Sequence, residues 1–487
     1  MIRACRELGV RSVAVYSDAD ASAPHVRAAD VAVNIGPPPS SQSYLLGDRI
    51  IEAAIREGAE AIHPGYGFLS EREWFARAVR DAGLVFIGPP AEAIAAMGSK
   101  TAARTLAVAH DVPVVPGTTE SIPTAARATE IAAQYGYPVL LKAAAGGGGK
   151  GMRVVRDAKE ISASFDAARR EAQNAFGDDA IYLEKYIQGP RHVEIQIIGD
   201  MHGSVVHLGE RECSVQRRHQ KMIEEAPSVA VNSALRAEMG ATAVRAAQAA
   251  GYVNAGTCEF LLDRDGKYYF LEMNTRLQVE HPVTELVTGI DLVQWQLRVA
   301  AGEPLGFTQD DITQHGWAVE CRITSEDPAN DFLPSTGRIS YLQLPSGPGV
   351  RWDGGIETGS EVSLHYDPML AKLIVHAPTR ELAIARMHRA LSELVITGIE
   401  TSREFHLRVM EDAEFRAGAI EIQWLERRLA SLTSDTGTDD GAQLAALAGA
   451  LLAQTGAERS GASSTLPIRE VEPLSAWQRV ARLESLR

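Results

Sequence analysis

The sequence predicts a protein of mixed α/β and α+β class, in which a unit of alternating helices and strands comes first and antiparallel strands follow. At 487 residues the chain is too long for a single core and fits about three domains of roughly 150 residues each. Helical and β-branched segments alternate up to about residue 97, which favours a doubly wound unit. Beyond residue 317, short strands separated by glycine and proline precede one long helix, which is typical of an α+β segment.

The first 98 residues carry a repeated helix and strand pattern. The opening segment MIRACRELGV predicts a helix closed by Gly9, and RSVAVYS predicts the strand after it. Two more helices with their strands are predicted in YLLGDRIIEAAIREG with AEAIHPGYGFLSE, and in EREWFARAVRDAG with LVFIGP. Because a helix precedes the first strand, we expect this domain to lack the strand that would begin a complete βαβ unit.

Composition and pattern divide the rest of the chain into three parts. We expect a central domain over residues 99–316, in which a smaller unit over about 124–186 forms a lid. A mixed α+β domain is expected over 317–430, with its main helix in TRELAIARMHRALSEL. Residues 431–487 are expected to be a linker, rich in alanine, glycine, serine and threonine, followed by the start of a further region.

The charge balance and the cysteines narrow the class of protein. Acidic residues outnumber basic ones, 63 against 48, and the formal charge is −15 with histidine neutral. This excess argues against nucleic-acid binding, although a local basic pocket remains compatible with it. Cys5, Cys213, Cys258 and Cys321 are widely separated, which predicts a reduced cytoplasmic protein without structural zinc. No segment has the length and polarity of a signal peptide or a membrane span, so no membrane association is expected.

The stretch LLKAAAGGGGKGMRVV, residues 140–155, places five glycines between two apolar runs. Gly146, Gly148 and Gly151 have the spacing of a dinucleotide-binding turn, but that motif requires a helix next, and β-branched residues follow instead. The sequence therefore predicts a strand, a glycine loop and a second strand. Such a loop either binds nucleotide phosphates through its backbone N–H groups or is a plain surface turn, and the stretch alone favours neither.

A hairpin with paired carboxylates is predicted around Asp265 and Gly266, which lie between two alternating, aromatic-rich runs. If these two residues form the turn, Glu259 lies opposite Glu272; a four-residue loop gives the same pairing, whereas a three-residue loop would offset them. Facing like charges destabilise a hairpin unless a cation neutralises them, and Asn274 lies on the same face. Hard oxygen ligands favour Mg²⁺ or Mn²⁺ over zinc. The alternative is an exposed hairpin whose glutamates point into water.

An oxyanion pocket is predicted directly after this hairpin. Arg276, Gln278 and Glu280 alternate and share a face if the chain is extended. Arginine binds planar oxyanions bidentately, glutamine adds donors, and a glutamate beside them acts on a proton, which suits a small acid such as bicarbonate.

Other basic residues are candidates for anion binding. A cluster precedes the hairpin, and its plainer interpretation is a solvated basic strand. Its members are Gln216, Arg217, Arg218, His219 and Lys221. Lys100 and Lys142 follow or lie within strand-like segments and complete a possible phosphate cradle. Arg322 lies inside the apolar run AVECRI, where a buried guanidinium needs an anion.

Taken together, these motifs resemble the ATP-grasp enzymes, and specifically the biotin carboxylase component of biotin-dependent acyl-CoA carboxylases of the α-subunit type. The segments that carry the resemblance occur in the family's order over residues 1 to about 430: HPGYGFLSE, GGGGKGM, RHVEIQ, QRRHQK, EMNTRLQVEHPVTE and AVECRI. The resemblance implies a Rossmann-like N-terminal domain, central ATP-grasp domains with a mobile lid, and an α+β C-terminal carboxylase domain.

The resemblance also implies roles for the matching residues. Those implied to bind ATP are Lys100, Lys142, Gly146, Gly147, Gly148, Gly149, Met152, Glu184, Lys185, Ile187, His192, Gln216, His219 and Leu261. The implied metal ligands are Glu259, Glu272 and Asn274. The implied bicarbonate ligands are Lys221, Arg276, Gln278 and the Val279 backbone. The implied biotin site is Tyr66 with Arg322, and the implied catalytic set is Glu280, Arg322, Arg276 and Lys221.

The mechanism that the resemblance implies begins when Glu280 deprotonates bicarbonate, whose oxygen attacks the γ-phosphoryl group of ATP to give carboxyphosphate. Carboxyphosphate releases CO₂ and phosphate, the phosphate removes the ureido proton of biotin, and Arg322 stabilises the enolate by its charge. The implied cofactors are ATP, Mg²⁺ or Mn²⁺, and biotin. The implied partners are a biotin carboxyl carrier protein or domain, a carboxyltransferase subunit and further copies of the chain in a homo-oligomer.

The chain departs from the family's pattern at its ends. The first strand with its ANRGE-like turn is missing, and so is the biotin attachment tetrapeptide around MKM, so we expect biotin to arrive on another chain or on a longer form of this subunit. Two other functions remain open: another ATP-grasp ligase, which should not share TRLQVEHPVTE or Tyr66, and a noncatalytic assembly subunit. Because every catalytic position is filled, the sequence favours an active enzyme.

Overall fold

The computed structural model describes residues 1–118, 120–143 and 152–434, without the side chains of Lys100 and Phe176. The glycine run over 146–149 and most of the expected linker, residues 435–487, lie outside these residues. The expected linker begins inside the last described helix, which ends at Thr433. No helix in the described ranges is long and apolar enough to cross a membrane.

Helices and parallel strands alternate in the first 98 residues, as the sequence predicts. The elements are α1 (Ile2–Glu7), β1 (Val13–Tyr16), α2 (Pro24–Ala28), β2 (Val31–Asn34), α3 (Gly47–Arg56), β3 (Ala61–Ile62), α4 (Glu73–Asp81), β4 (Val85–Phe86) and α5 (Ala91–Gly98). The parallel pairs β1 with β2 and β3 with β4 form two separate two-stranded sheets. Strand β3 is short because the HPGYG segment after it turns, with Gly65 and Gly67 at φ of +70° and +83°.

A small unit that packs helices on an antiparallel sheet follows. After α6 (Lys100–Ala109), its elements are α7 (Ala125–Tyr135), β5 (Val139–Ala143), β6 (Met152–Val155), α8 (Ile161–Phe176) and β7 (Ile181–Lys185). Strands β5 and β6 are antiparallel neighbours, which confirms the two strands predicted on either side of the glycine run. The unit has its own apolar core, formed by the inward faces of α7, α8 and the three strands.

An eight-stranded antiparallel sheet forms the centre of the described structure, in the order β12-β11-β8-β9-β10-β13-β20-β18. Its first part comprises β8 (Arg191–Gly199), β9 (Val205–Arg217), β10 (Gln220–Ala226), α9 (Ser233–Ala249), β11 (Asn254–Leu262), β12 (Tyr268–Asn274), α10 (His281–Thr288) and α11 (Leu292–Ala300). Along β8, Val193, Ile195 and Ile197 pack into the apolar core beneath α9. The alternate residues of that strand therefore face the opposite side, where the polar cavity lies.

The C-terminal region continues the same sheet. Its elements are β13 (Trp317–Thr324), β14 (Glu326–Asp327), β15 (Leu333–Pro334), β16 (Gly337–Arg338), β17 (Tyr341–Gln343), β18 (Val350–Gly354), β19 (Glu361–Val362), β20 (Met369–Ala377), α12 (Arg380–Glu393), β21 (Val395–Thr397), α13 (Arg403–Glu411), α14 (Ala413–Arg416) and α15 (Trp424–Thr433). Strand β13 pairs with β10, so the sheet runs without a break past the domain boundary expected at residue 317. The boundaries themselves stay predictions.

The predicted hairpin is present, but its turn differs from the prediction. Asp263 pairs with Lys267, and the three residues between them form the loop, with Gly266 at a φ of +80°. A three-residue loop offsets the two strands by one residue. A bulge at Leu271 then restores the register, so Glu259 still lies opposite Glu272.

The aromatic core of the C-terminal region provides a test of the packing. Phe405 is fully buried on α13, and its ring meets the edge of Phe332 at a centroid distance of 5.4 Å. We expect Phe405→Ala to lower the free energy of unfolding by about 3–5 kcal/mol, because it removes buried surface and leaves a cavity. Chemical denaturation measures the loss. The control is Leu382→Ala on the exposed side of α12, expected within about 0.5 kcal/mol of the parent, and equal losses would contradict this packing.

Candidate active site

A cavity of about 580 Å³ lies between the small α/β unit and the central sheet. The sequence-predicted residues that line it are Lys142, Met152, Glu184, Lys185, Ile187, His192, Gln216, His219, Lys221, Glu259, Leu261, Glu272, Asn274, Arg276, Gln278, Val279, Glu280 and Arg322. Tyr66 is outside this lining. The predicted phosphate residues Gly146, Gly147, Gly148 and Gly149, and the side chain of Lys100, lie outside the described structure.

The floor of the cavity is built around the ammonium group of Lys221. Its Nζ donates to Glu194 at 2.6 Å, to Glu259 at 2.9 Å and to Glu280 at 2.6 Å. Burial would lower the pKa of Lys221, but the three carboxylates outweigh burial and raise the pKa well above its usual range. This lysine therefore stays charged and holds three acidic side chains in one place.

Strand register brings these charges together. Glu272, Glu259, Glu194 and Arg211 are consecutive partners across β12, β11, β8 and β9, so they form one row on one face of the sheet. Arg211 is fully buried and donates through Nε to Glu194 at 2.5 Å. Sequence reasoning assigned no role to Glu194 or Arg211. The signal was present in RHVEIQ, where His192, Glu194 and Gln196 alternate.

Glu259 has the most crowded carboxylate in the row. It accepts hydrogen bonds from Lys221, Asn274 at 2.8 Å and Gln278 at 3.0 Å, and His192 Nε2 lies 3.1 Å away. Burial would raise the pKa of Glu259, but Lys221 and His192 hold that pKa well below its usual range. Burial would lower the pKa of His192, but the Glu259 carboxylate more than offsets it and raises the pKa. The Glu259 carboxylate is therefore ionised in this arrangement.

The segment after β12 reaches the N-terminal region. Arg276 donates through Nε to Glu71 at 3.0 Å and through NH2 to Asn274 at 3.2 Å. Lys372 donates to the Val279 carbonyl at 2.7 Å and so fixes that peptide. The segment is irregular rather than an extended strand, yet its predicted pocket residues still face one cavity.

Glu280 bridges two cations. One carboxylate oxygen accepts from Lys221, and the other accepts from Arg322 NH2 at 2.9 Å. Burial would raise the pKa of Glu280, but Lys221 and Arg322 outweigh burial and hold the pKa well below its usual range. Arg322 also donates through Nε to Glu224 at 2.7 Å. Glu224 is therefore the kind of anionic partner that was predicted for Arg322 from its position inside an apolar run.

Tyr66 lies in the loop after β3 and is 37% exposed. Burial raises the pKa of Tyr66 to about 12, although the charge of Arg322 opposes this shift. The phenol is therefore neutral near neutral pH and lies within electrostatic range of Arg322, which lines the cavity, whereas Tyr66 does not line it.

The other end of the cavity combines apolar surface with a short ion-pair chain. Glu184 on β7 accepts from Lys142 at 2.5 Å and from Arg104 at 3.1 Å. Lys185 donates to the carbonyl groups of Gly136 and Tyr137 at 2.8 and 3.1 Å. Apolar side chains line the same end: Val114, Leu140, Met152, Ile187, Leu261 and Phe270. A flat ring with polar edges fits such a slot.

The turn between β9 and β10 is held by the C-terminal region. Arg218 and His219 both have positive φ, 49° and 66°, which is unusual for residues with side chains. Arg217 donates to the carbonyl and the carboxylate of Asp331 at 2.8 and 2.7 Å, and its guanidinium stacks 4.3 Å from the centre of the Phe332 ring. This clamp fixes the direction in which His219 enters the cavity.

Models of known protein families match most of the chain. The family model described as the N-terminal domain of biotin carboxylase matches residues 1–94. The model described as the ATP-binding domain of the carbamoyl-phosphate synthase L chain matches residues 99–308. The model described as the biotin carboxylase C-terminal domain matches residues 320–427. The match to an ATP-binding domain flanked by two biotin carboxylase domains argues against the alternative assignment of the chain as another ATP-grasp ligase.

Individual proteins give the same result. The chain is 51% identical over 426 residues to the biotin carboxylase of a Nostoc species, covering 88% of this chain and 95% of that one. It is 49% identical to the α subunit of mitochondrial methylcrotonoyl-CoA carboxylase of Rattus norvegicus, covering 87% of this chain and 60% of that one.

A solved structure matches over the same range. It is the biotin carboxylase domain dimer of the Hydrogenobacter thermophilus 2-oxoglutarate carboxylase, in complex with MgADP, ADP and bicarbonate, at 45% identity and a TM-score of 0.83, covering 88% of this chain and 95% of that one. The expected Rossmann-like and ATP-grasp architecture is thereby confirmed. With three consecutive domain matches and about half of its residues identical to those of curated relatives, the chain belongs to the biotin carboxylase family, whose members are ATP-dependent ligases built on the ATP-grasp fold.

Proposed function

We propose that the chain uses ATP and bicarbonate to carboxylate biotin carried on another protein, through carboxyphosphate, as the first half-reaction of an acyl-CoA carboxylase. One observation carries this proposal: a single cavity joins the slot around Glu184 to the charge cluster in which Glu280 bridges Lys221 and Arg322. A nucleotide in the slot would direct its phosphates towards that cluster. The γ-phosphoryl group of ATP and the bicarbonate ion would then be held next to each other in one cavity.

Glu280 is proposed as the base that takes the proton of bicarbonate. Its carboxylate is ionised, as a base must be, but its two cationic partners make it a weak base in this arrangement. A bicarbonate ion that took over the bonds of Lys221 would place a negative charge beside Glu280 and raise its pKa. The base would therefore gain strength when its substrate binds. Arg276 and Gln278 are proposed to orient that substrate.

Arg322 is proposed to stabilise the enolate of biotin, with Tyr66 at the edge of the same site. Arg322 NH2 now bonds to Glu280, and its Nε is anchored to Glu224. A guanidinium held at one end has a fixed position from which its charge can stabilise a developing oxyanion. Lys142 and His219 are proposed to bind the phosphates and the ribose side of ATP, with Lys100 and the loop glycines completing the site.

The donor set at the β11–β12 hairpin fits Mg²⁺ or Mn²⁺. Glu259 and Glu272 are register partners that both line the cavity, and Asn274 adds an amide two residues along the strand. Two carboxylates and an amide are the hard oxygen ligands that these cations prefer. We propose that these three residues hold the metal, whose charge would neutralise the phosphates during phosphoryl transfer.

Partners of this chain are proposed from the relatives. The rat relative is named as a subunit of a methylcrotonoyl-CoA carboxylase, and the matched structure is a dimer. We propose that a biotin carboxyl carrier protein or domain brings biotin to the Tyr66 edge, that a carboxyltransferase subunit uses the product, and that the chain forms a homo-oligomer.

The proposed function is tested by following ATP hydrolysis together with the incorporation of labelled bicarbonate into biotin. We expect fast hydrolysis only when both bicarbonate and biotin, or a biotinylated carrier, are present, because the base and the enolate site adjoin. Glu280→Gln should lower the rate by roughly 10²–10⁴-fold, the usual contribution of a positioned base. Equally fast hydrolysis without bicarbonate would overturn the proposal.

The metal site predicts a change in magnesium dependence. We expect Glu272→Gln to need a higher Mg²⁺ concentration for half-maximal ATP turnover, because one of two anionic ligands is lost. The same change relieves repulsion across the hairpin, so the melting temperature of the metal-free protein should not fall. Mg²⁺ titrations of turnover and thermal denaturation measure the two effects. A variant with unchanged Mg²⁺ dependence would show that the metal does not bind here.

The clamp on the β9–β10 turn predicts weaker nucleotide binding when it is altered. We expect Arg217→Lys to raise the dissociation constant for MgATP roughly fivefold, about one net hydrogen bond, because lysine keeps the charge but not the paired bonds and stacking. Arg218→Lys is the matched control, since that side chain is 70% exposed and its contact with Asp331 at 3.1 Å is an exposed ion pair that lysine can keep. Calorimetric titration compares the two. Equal effects of both variants would mean that the clamp does not position the turn.

A further inference from the structure

Two buried glutamates face each other beneath Arg322, on the side of the sheet that α10 covers. Glu224 on β10 and Glu320 on β13 are partners in the antiparallel register, and both are 0% exposed. Directly opposed residues in such a pair have Cβ atoms roughly 4.5–5.5 Å apart. Two carboxyl groups are therefore held side by side in the interior.

These two carboxyl groups have too few hydrogen-bond donors for two negative charges. Glu224 accepts one hydrogen bond through Oε1, from Arg322. Its Oε2 and both oxygens of Glu320 have no hydrogen-bond partner within the described part of the chain. A buried carboxylate without donors is far less stable than a neutral carboxyl group. Two such groups side by side share a proton, because like charges at that distance cannot both form.

The surrounding charges do not remove this constraint. The charged and titratable groups that surround the pair are Arg322 on β13, Lys372 on β20, Lys221 on β10, Glu280 ahead of α10, the thiol of Cys213, the Tyr66 phenol and, on the opposite face of β13, the thiol of Cys321. Lys372 bonds to the Val279 carbonyl and lies 3.8 Å from Asp353. Lys221 is held by three other carboxylates. Neither lysine makes an ion pair with Glu320.

Glu224 and Glu320 differ in their affinity for a proton. Burial raises the pKa of Glu320 well above its usual range, Lys372 opposes this, and the charge of Glu224 adds to it. Burial raises the pKa of Glu224 to about 7, even though Arg322 opposes the shift. Glu320 therefore holds a proton more tightly than Glu224, and above about pH 7 Glu224 carries the negative charge that faces Arg322.

We propose that Glu224 and Glu320 form a one-proton site that positions Arg322, with the proton on Glu320 and a single negative charge on Glu224. Loss of the proton would put a second negative charge beneath the guanidinium and reduce the positive potential that it offers to an enolate. Glu320 is thus a positioning residue that acts through Glu224 and Arg322. Only this effect on turnover rests on the proposed function; the proton itself does not.

The first test is the dependence of stability on pH. A carboxyl group whose folded pKa is raised contributes stability that is full below the unfolded pKa, about 4.3, and is lost as pH rises through the folded pKa. The wild-type melting temperature should therefore fall between about pH 6 and about pH 9, and Glu320→Gln, which has no proton to lose, should fall less. If the melting temperatures of the wild type and Glu320→Gln fell by the same amount over this pH range, the proposal would be overturned.

Glu225→Gln is the matched control on the same strand. Glu225 is buried on the opposite face and forms an ion pair with Arg380 at 2.7 Å. We expect this variant to melt at a lower temperature than wild type at both pH values, because it leaves a buried guanidinium without its anion. A Glu320→Gln variant that behaved like Glu225→Gln would show that Glu320 is ionised and paired instead.

One further measurement keeps the proposal decidable if Glu320→Gln does not fold. Infrared spectra of the wild type should show the carbonyl band of a buried protonated carboxyl group near neutral pH, and absence of that band would overturn the proposal. If Glu320→Gln folds, its kcat should fall less towards high pH than that of the wild type, with the KM for bicarbonate unmoved. If the wild type does not carboxylate biotin, the proposed function fails, and the infrared and melting results still decide the proton site.

Discussion

The centre of the cavity depends on one buried ammonium group, that of Lys221. Three carboxylates approach it within 3 Å, and without it they would be uncompensated negative charges in an interior with little water. Removing one partner from such a buried pair typically costs about 3–5 kcal/mol, whereas the intact cluster need not add stability. The cluster is therefore better explained by the carboxylates that it positions than by a contribution to the stability of the fold.

The sheet makes this cluster possible, because antiparallel register fixes which side chains are neighbours. The row from Glu272 through Glu259 and Glu194 to Arg211 crosses four strands at one level. A slip of one residue in any strand would turn its charged side chain into the apolar core. The same rule places Glu224 opposite Glu320. Long paired strands thus carry the charged groups, while the irregular segment after β12 supplies the residues that must meet a substrate.

Sequence reasoning could find the side chains but not all of their partners. Local patterns predicted the hairpin, the glycine loop between strands and the alternating pocket residues. The pairing of Glu259 with Glu272 was predicted from the wrong turn, and it holds because the bulge at Leu271 cancels the offset of a three-residue loop. The contact of Arg276 with Glu71 joins residues about two hundred positions apart, and no local periodicity encodes it. Such contacts follow only from the packed fold.

The bonds that stabilise the cluster must also be exchanged when substrates bind. Glu280 uses both oxygens to neutralise Lys221 and Arg322, and these are the cations that the proposed mechanism assigns to bicarbonate and to biotin. An anion that displaces Glu280 from Lys221 keeps that charge neutralised, so the exchange requires little new desolvation. It also frees a carboxylate whose pKa then rises, which makes Glu280 a stronger base only when there is a proton to accept. Anchoring Arg322 through Glu224 keeps the guanidinium in place while Glu280 changes partners.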